Sequence, residues 1–168
     1  DGGRLDLGHQ FEWAYLLSRA AELRIWQGEP SDERVRVAHR LLDRAVALGY
    51  DAENGGVRSP ASPEGKLLSR CKGWWEQCEA ARAFIHHAVV RHRSDLLPLF
   101  EQTIGFCRQH LIDAEHGGWF MRVETDGSIP NTDKGNVWKV DYHVVGLCDE
   151  VLRLASSLAG DGKPGAEQ

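Results

Sequence analysis

The sequence predicts an all-α fold built from helical hairpins, and two observations carry this prediction. Segments with apolar side chains on several faces alternate with segments that carry a single apolar stripe. The chain also repeats itself at intervals of roughly one third of its length, which is the sequence signature of stacked structural units. A helix pair of this kind cannot bury all its apolar surface alone, so we expect neighbouring pairs to stack.

The first predicted pair joins residues 8–26 to residues 32–49. Residues 8–26 are apolar on most faces, as expected for a helix enclosed by others. The segment at 29–32 reads Glu-Pro-Ser-Asp, which ends one helix and caps the next. Residues 32–49 carry one apolar stripe and place arginines on the other side, which predicts an outer helix with a solvated face.

The second predicted pair repeats this alternation, and a single helix follows it. Residues 72–91 are again apolar on several faces, and residues 94–111 return to a single stripe. A fifth helix over 141–158 is inner-like once more. The sequence therefore predicts three inner and two outer helices.

Two long connections separate these units and resemble each other. Residues 51–57 read DAENGGV, and residues 113–119 read DAEHGGW, 62 residues later. His9, Trp75 and His143 open the three inner helices at intervals of 66 and 68 residues. Each unit is therefore an inner helix, an outer helix and a short Gly-Gly β-hairpin.

Stacked hairpins of this kind close most naturally into an α/α toroid, with the first turns of the inner helices on one rim. Five helices are too few for a ring of six hairpins, so we expect about half of such a ring here. An open solenoid is the alternative arrangement.

The chain of 168 residues fits a single domain or part of one, and residues 159–168 are expected to form a frayed tail. It begins with Asp1 and has neither a signal peptide nor an initiator methionine, so we expect further sequence upstream. A net charge of -5 gives no basic surface for nucleic acid, and no apolar run is long enough to span a membrane.

The four cysteines are expected to be reduced thiols in the core. None lies in a Cys-x-x-Cys pair, and Cys71 and Cys78 are about 10 Å apart if helical, beyond disulfide reach. Reduced cysteines favour a cytoplasmic location.

If the hairpins stack in register, the residues that open the inner helices meet on one rim. Aromatic rings, carboxylates and histidines around one opening suit a sugar, whose C–H faces stack on aromatic rings while its hydroxyls need polar partners. The residues expected on this rim are His9, Glu12, Trp74, Trp75, Gln77, Glu79, Trp138, Tyr142 and His143.

His9 and His143 are the candidate catalytic pair. Each lies in a first helical turn, where the helix dipole disfavours the imidazolium and keeps a neutral base available. Two such bases could remove a proton from one face of a substrate and return it to the other. Glu12, one turn after His9, could orient its ring or hold a substrate hydroxyl.

The other histidines do not predict a metal centre. His86, His87 and His92 cluster near the end of the third helix, but no cysteine or carboxylate joins them at ligand spacing. His39 and His110 are expected at the surface or at helix caps. No nucleotide-binding, serine-hydrolase or zinc-protease motif is present, so we expect no cofactor and no metal.

Three stretches together resemble signature sequences of the N-acylglucosamine 2-epimerase superfamily, which includes cellobiose 2-epimerases and mannose isomerases. They are GHQFEWAYLL at 8–17, KGWWEQCE at 72–79 and WKVDYH at 138–143. The family fold is an (α/α)6 barrel, and the chain resembles its C-terminal half.

The resemblance implies a proton transfer at C2 of an open-chain aldose through an ene-diolate. His9 and His143 then correspond to the acid/base histidines, and Glu12 corresponds to the carboxylate that supports the first of them. It also implies that Trp75, Glu79 and Trp138 contact the sugar. Members of the family carry further substrate contacts in the N-terminal half, so this chain alone is expected to be inactive.

Two other functions remain open at this point. One is an α/α-toroid glycoside hydrolase that uses carboxylates such as Glu12, Glu79 or Asp141. The other is a helical module that binds sugar or protein without chemistry. Two copies of the chain could also pair as a homodimer to cover exposed inner-helix faces.

Overall fold

The computed structural model describes residues 3–25, 31–124, 127–137 and 139–160, and it is mostly helical. Five α-helices and one short two-stranded sheet are present in this part of the chain. The elements in chain order are α1 Leu7–Glu22, α2 Ser31–Gly49, β1 Lys72–Gly73, α3 Trp74–Val90, α4 Leu97–Phe106, β2 Arg122–Val123 and α5 Tyr142–Gly160.

The helices pack as the alternation of apolar patterns predicts. α3 is central and contacts α1 on one side and α5 on the other, while α2 packs on α1 and α4 packs on α3. One core lies among α1, α2 and α3 around Phe11, Leu42 and Phe84. A second core lies among α3, α4 and α5 around Trp74 and Leu147.

Three of the predicted helices have boundaries that differ from the expectation. α1 ends at Glu22 because Arg24 adopts φ +52, and the amides of Arg24 and Ile25 donate to the carbonyls of Ala21 and Ala20. Residue 26, the predicted end, lies outside the described residues.

The third helix begins at Trp74 instead of residue 72, because Lys72 and Gly73 pair antiparallel with Val123 and Arg122. The fourth helix is not uniform over 94–111. A 3₁₀ turn over Ser94–Leu96 precedes α4, and a π-helical turn over Cys107–Leu111 follows it. The predicted frayed tail begins at residue 159. Residues 159 and 160 are the last two residues of α5, and residues 161–168 lie outside the described part of the chain.

The repeat seen in the sequence is also present in the backbone of the two Gly-Gly turns. In each turn the amide of the aspartate donates to the carbonyl of the second glycine, and the first glycine amide donates back to the aspartate. All four glycines have positive φ, which a side chain disfavours. The four bonds are Asp51 N to Gly56 O, Gly55 N to Asp51 O, Asp113 N to Gly118 O and Gly117 N to Asp113 O.

The two turn aspartates also hold a lysine from a later segment. The ammonium of Lys72 lies 2.8 Å from a carboxylate oxygen of Asp51, and that of Lys134 lies 2.6 Å from Asp113. Although burial opposes ionisation of Asp51, the hydrogen bond from Lys72 holds its pKa at about 2. The turns are therefore tied to the strand and loop that lead toward α3 and α5.

All four cysteines are free, and Cys78 and Cys107 are buried in the second core. No helix in the described ranges is long and apolar enough to cross a membrane.

His87 is a fully buried base. Its Nε2 donates to the carbonyl of Ala14 at 3.2 Å, and its ring lies 5.2 Å from that of His39. His39 is half-buried on α2, so its expected surface position was wrong. Burial lowers the pKa of His87 from 6.5 to about 3.

This burial predicts an acid-sensitive fold. The unfolded chain binds a proton at residue 87 below pH 6.5, whereas the folded chain does so only near pH 3, so stability is lost as pH falls between these values. We expect His87 alone to remove about 2 kcal/mol of unfolding free energy between pH 7 and pH 5. Urea titrations of His87→Gln at both pH values should show a correspondingly smaller loss.

His116→Gln, at an exposed position, serves as the control and should keep the loss of the parent chain. An equal loss in His87→Gln and in the parent would contradict the assignment.

Candidate functional site

His9 lies at the exposed first turn of α1. Asp6 caps this helix, since its Oδ1 accepts from the amide of Gly8 at 3.0 Å. The second oxygen of Asp6 lies 3.7 Å from Nδ1 of His9, which is longer than a hydrogen bond but close enough for charge attraction. The side chain of His9 is 61% exposed, so a ligand can reach it.

Trp75 lies against the start of α1 because residue 8 has no side chain. A Cβ at Gly8 would come within 2.5 Å of the Trp75 ring. The ring centroids of His9 and Trp75 are 5.0 Å apart. The glycine before His9 therefore allows the tryptophan of α3 to pack beside the histidine of α1.

His143 approaches the same tryptophan from α5. Its ring lies 5.3 Å from that of Trp75 and 5.4 Å from that of Trp74. Its Nδ1 is 2.8 Å from Oε1 of Glu79, a carboxylate with no exposed surface. An ionised carboxylate only accepts hydrogen bonds, which places the proton on Nδ1 and leaves Nε2 as the basic nitrogen.

His9, Trp75 and His143 thus come together, although they belong to three different helices. They line a cavity of about 250 Å³ with Trp74, Met121 and Lys139. In the described part of the chain, no carboxylate lines this cavity. A sugar site that transfers protons needs a general base, a role that histidine commonly fills, and aromatic rings that stack on the C–H faces of the sugar.

Met121 and Lys139 are site residues that the sequence analysis missed. Met121 lies beside β2, and its carbonyl accepts from the amide of Trp74 at 3.1 Å. No sequence pattern marked it, because its position depends on the pairing of β1 with β2. Lys139 lies in the 138–143 stretch; its ammonium is 5.0 Å from the Trp74 ring and donates to the carbonyl of Trp119. Burial lowers its pKa.

Glu12 is placed differently from the sequence expectation. Its carboxylate accepts from the hydroxyl of Tyr142, which joins α1 to α5. Partial burial and this carboxylate together raise the pKa of Tyr142. The Glu12 carboxylate is thus bonded to Tyr142, the residue before His143 in the sequence. The sequence analysis had suggested a contact with the His9 ring or with a substrate hydroxyl.

Glu79 and Trp138 complete the predicted set. The sequence analysis placed Glu79 in contact with the sugar, whereas the structure buries it behind His143. Trp138 lies outside the described residues.

A larger cavity of about 640 Å³ adjoins the first and shares Trp74, Trp75 and Met121 with it. Glu76 lines this second cavity, and burial raises the pKa of its carboxyl to about 7. The Glu76 side chain lies beside two glycines. Its carboxyl is next to Gly73, which precedes Trp74, and its Cγ is next to Gly8, which precedes His9. The sequence analysis gave Glu76 no role.

In the ranges that the structure describes, no group of three or more His, Cys, Asp or Glu side chains could hold a metal ion.

Comparison with solved structures defines the class of this fold. It matches a crystal structure of D-mannose isomerase with a TM-score of 0.80 and 26% sequence identity, over 89% of this chain and 37% of that one. The described helices therefore share the fold of the matched part of that protein.

Sequence relatives narrow the class to a family. The chain is 29% identical to a D-mannose isomerase of Marinomonas mediterranea over 87% of its length, and 31% identical to an N-acylglucosamine 2-epimerase of Bos taurus over 95%. The sequence profile of the N-acylglucosamine 2-epimerase family matches residues 4–147, and the chain belongs to this family. It spans 36% and 42% of the lengths of those two relatives.

The contact between Gly8 and Trp75 can be tested by substitution. We expect Gly8→Ala to displace the Trp75 ring and to lower the unfolding free energy by about 1–3 kcal/mol, because a Cβ at 2.5 Å overlaps the ring. Urea unfolding measures the loss, and the indole ¹H–¹⁵N signal of Trp75 reports the displacement.

Gly105→Ala is the matched control, since a Cβ at this position in α4 meets no atom within 4 Å. It should raise stability by up to about 1 kcal/mol through helix propensity. If both alanine variants had the same stability, close packing at Gly8 would be refuted.

Proposed function

We propose that the protein is a sugar 2-epimerase or an aldose–ketose isomerase that transfers a proton at C2 of an open-chain aldose. The observation that carries the proposal is the placement of His9 and His143 against Trp75, from two different helices, around one cavity. Membership in the family and the isomerases among its relatives support the same reaction class.

In the proposed reaction one histidine removes the proton from C2 of the sugar. The C2–H electron pair forms the C1–C2 double bond, and O1 gains a proton, which gives an ene-diol in equilibrium with its ene-diolate. Return of a proton to C2 from the opposite face, with loss of the O1 proton, re-forms the C1 carbonyl and gives the epimer, whereas return of a proton to C1 with loss of the O2 proton gives the ketose. No oxidant or reductant is consumed.

His143 is suited to the role of base because Glu79 occupies its Nδ1. The hydrogen bond of 2.8 Å holds the ring and selects the tautomer with a free Nε2. When His143 takes up a proton, the imidazolium that forms remains beside a carboxylate, which stabilises it. We therefore assign Glu79 a positioning role through His143.

His9 is proposed as the second acid/base group. A carboxylate oxygen of Asp6 lies 3.7 Å from its ring. Its exposure allows exchange with solvent, whereas the Trp75 ring restrains it on one side. Glu12 and Tyr142 would then hold the first turns of α1 and α5 together across the cavity.

Trp75, and Trp138 by its position in the sequence, are proposed to stack on the sugar. We also propose that the protein needs no cofactor and acts in the cytoplasm, where free thiols persist.

The described helices are proposed to form about half of an (α/α)6 ring. Apolar side chains on α1 and α5, including Trp13, Leu16, Val145 and Leu152, are exposed, and further hairpins or a second copy of the chain would cover them. A structure of the full-length protein in which these side chains remained in solvent would refute the ring.

Hydrogen exchange at C2 tests the proposed reaction. The full-length protein is incubated in deuterated water with mannose, glucose, N-acetylmannosamine or cellobiose, and we expect deuterium at C2 of at least one sugar. His143→Asn and His9→Asn should each lower the rate at which that sugar is converted into its epimer or ketose by about 10²- to 10⁴-fold, the usual contribution of a general acid or base.

His110→Asn is the control, because this histidine packs on Phe106 away from the cavity. It should exchange at the parent rate. Full conversion of the sugar by His143→Asn would exclude the two-histidine mechanism. Release of reducing sugar by the parent would indicate a glycoside hydrolase, and saturable binding without exchange would indicate a non-catalytic module.

A further inference from the structure

A second buried acid–histidine pair lies two helical turns away from the site. Oε1 of Glu150 is 2.7 Å from Nδ1 of His86, and both side chains are almost fully buried. Seven residues separate Glu79 from His86 on α3, and seven separate His143 from Glu150 on α5, about 10 Å along each axis. Each helix thus supplies the acid of one pair and the histidine of the other.

The hydrogen bonds of this second pair fix its protonation state. Arg91 Nε donates to the hydroxyl oxygen of Ser18 at 2.8 Å, so the Ser18 proton is free to point at Nε2 of His86, 2.9 Å away. His86 is then neutral and donates through Nδ1 to Glu150. Burial lowers the pKa of His86, which agrees with a neutral ring.

Glu150 is an anion held by several donors. Arg153 donates to both of its oxygens, at 2.8 and 2.6 Å. Although burial opposes ionisation, the hydrogen bonds from Arg153 and His86 lower the pKa of Glu150 to about 2. The hydroxyl of Tyr15 also donates to Oε2 of Glu150, at 3.3 Å.

Tyr15 and Arg82 connect this pair to the Glu79–His143 pair. The guanidinium of Arg82 lies over the Tyr15 ring, 3.8 Å from its centroid. Arg82 Nη1 is 3.7 Å from Oε2 of Glu79, the oxygen that His143 does not bind. A Cβ at Gly146 would lie 2.9 Å from Nη1, so the absence of a side chain on α5 leaves the room that Arg82 occupies.

We propose that Glu150, Tyr15 and Arg82 position His143: Glu150 fixes the Tyr15 ring, the ring fixes Arg82, and Arg82 fixes the carboxylate of Glu79 that orients the imidazole. This inference rests on the proposed function only for its catalytic consequence. Buried ion pairs commonly contribute little net stability, which is consistent with a role in geometry.

The network restrains the carboxylate because its two oxygens lie beside different partners. Oε1 of Glu79 binds His143, and Oε2 lies in the field of the Arg82 cation. If Arg82 moves, Oε2 is buried beside no cation and the carboxylate gains freedom to rotate. The Nδ1–H tautomer of His143 then loses the acceptor that selects it.

The first test observes His143 directly by NMR of protein labelled with ¹⁵N at histidine. The signal of His143 is assigned by its disappearance in His143→Asn, and the parent should show the hydrogen-bonded Nδ1–H tautomer. Tyr15→Phe removes only the hydroxyl that binds Glu150, and Gly146→Ala displaces the flexible end of Arg82. We expect the Nδ1–H signal of His143 to broaden or disappear in both variants.

Tyr50→Phe is the matched control. Its hydroxyl donates to Gln102 at 2.8 Å and its ring packs on Phe84, outside the network. It should leave the His143 signal unchanged. An unchanged signal in folded Tyr15→Phe and Gly146→Ala, or an equal change in Tyr50→Phe, would overturn the proposal.

The second test separates positioning from the proposed chemistry. In the full-length protein, Tyr15→Phe and Gly146→Ala should lower kcat for C2 exchange by roughly 3- to 30-fold and leave KM within about twofold. Unchanged kcat in both variants would refute the catalytic consequence. If the parent protein showed no exchange, the proposed function would be refuted. The NMR result alone would then show whether Glu150, Tyr15 and Arg82 position His143.

Discussion

Glu79 is a carboxylate without exposed surface, and the candidate site depends on its hydrogen bond to Nδ1 of His143. A buried carboxylate requires compensation of its charge. The imidazole of α5 donates a hydrogen bond to Oε1, and the guanidinium of Arg82, one turn along α3, lies 3.7 Å from Oε2 as a nearby cation. The bond fixes α5 relative to α3 at the level of the cavity. It also determines which nitrogen of His143 a ligand meets.

The surrounding structure places the first turns of α1, α3 and α5 around one cavity. The two Gly-Gly turns have the same hydrogen bonds, and each holds a lysine from a later segment through its aspartate. The pairing of β1 with β2 then places Met121 beside Trp74 and sets where α3 begins. The Tyr142–Glu12 bond joins α5 to α1. The site is therefore a product of the repeat, since α1 and α5 each contribute a histidine and α3 contributes two tryptophans.

Much of this arrangement could be predicted from the sequence, because a repeat determines the position of each residue within its unit as well as the order of the units. The shared position of His9, Trp75 and His143 in their units was sufficient to predict that they lie close together, and in the structure they line one cavity. The alternation of apolar patterns was sufficient to distinguish α2 and α4 from the helices that flank α3. Local pattern did not reveal that Lys72 and Gly73 form a strand, since their partners lie about fifty residues further along the chain.

The hydrogen-bond partners of the polar residues were harder to predict from the sequence than the helices on which these residues lie. Glu12 is one turn from His9, which suggested a contact within α1, yet it binds Tyr142 across the cavity. Glu79 belongs to a stretch that resembles substrate-binding sequence, yet it lies behind the histidine. The sequence analysis grouped His86 only with the neighbouring His87 and His92, and it gave Glu150 no role. The pairing of His86 with Glu150 depends on the packing of α3 against α5, which no single segment encodes.

The central claim is that a sugar carbon is placed between the two imidazoles. A crystal structure of the full-length protein with a linear alditol, which mimics an open-chain aldose, tests this most directly. The account predicts C2 of the alditol about 3–3.5 Å from Nε2 of His143, with the His9 ring on the opposite face of the carbon. An alditol bound with C2 out of reach of both imidazoles, or with a carboxylate at C2 in their place, would contradict it.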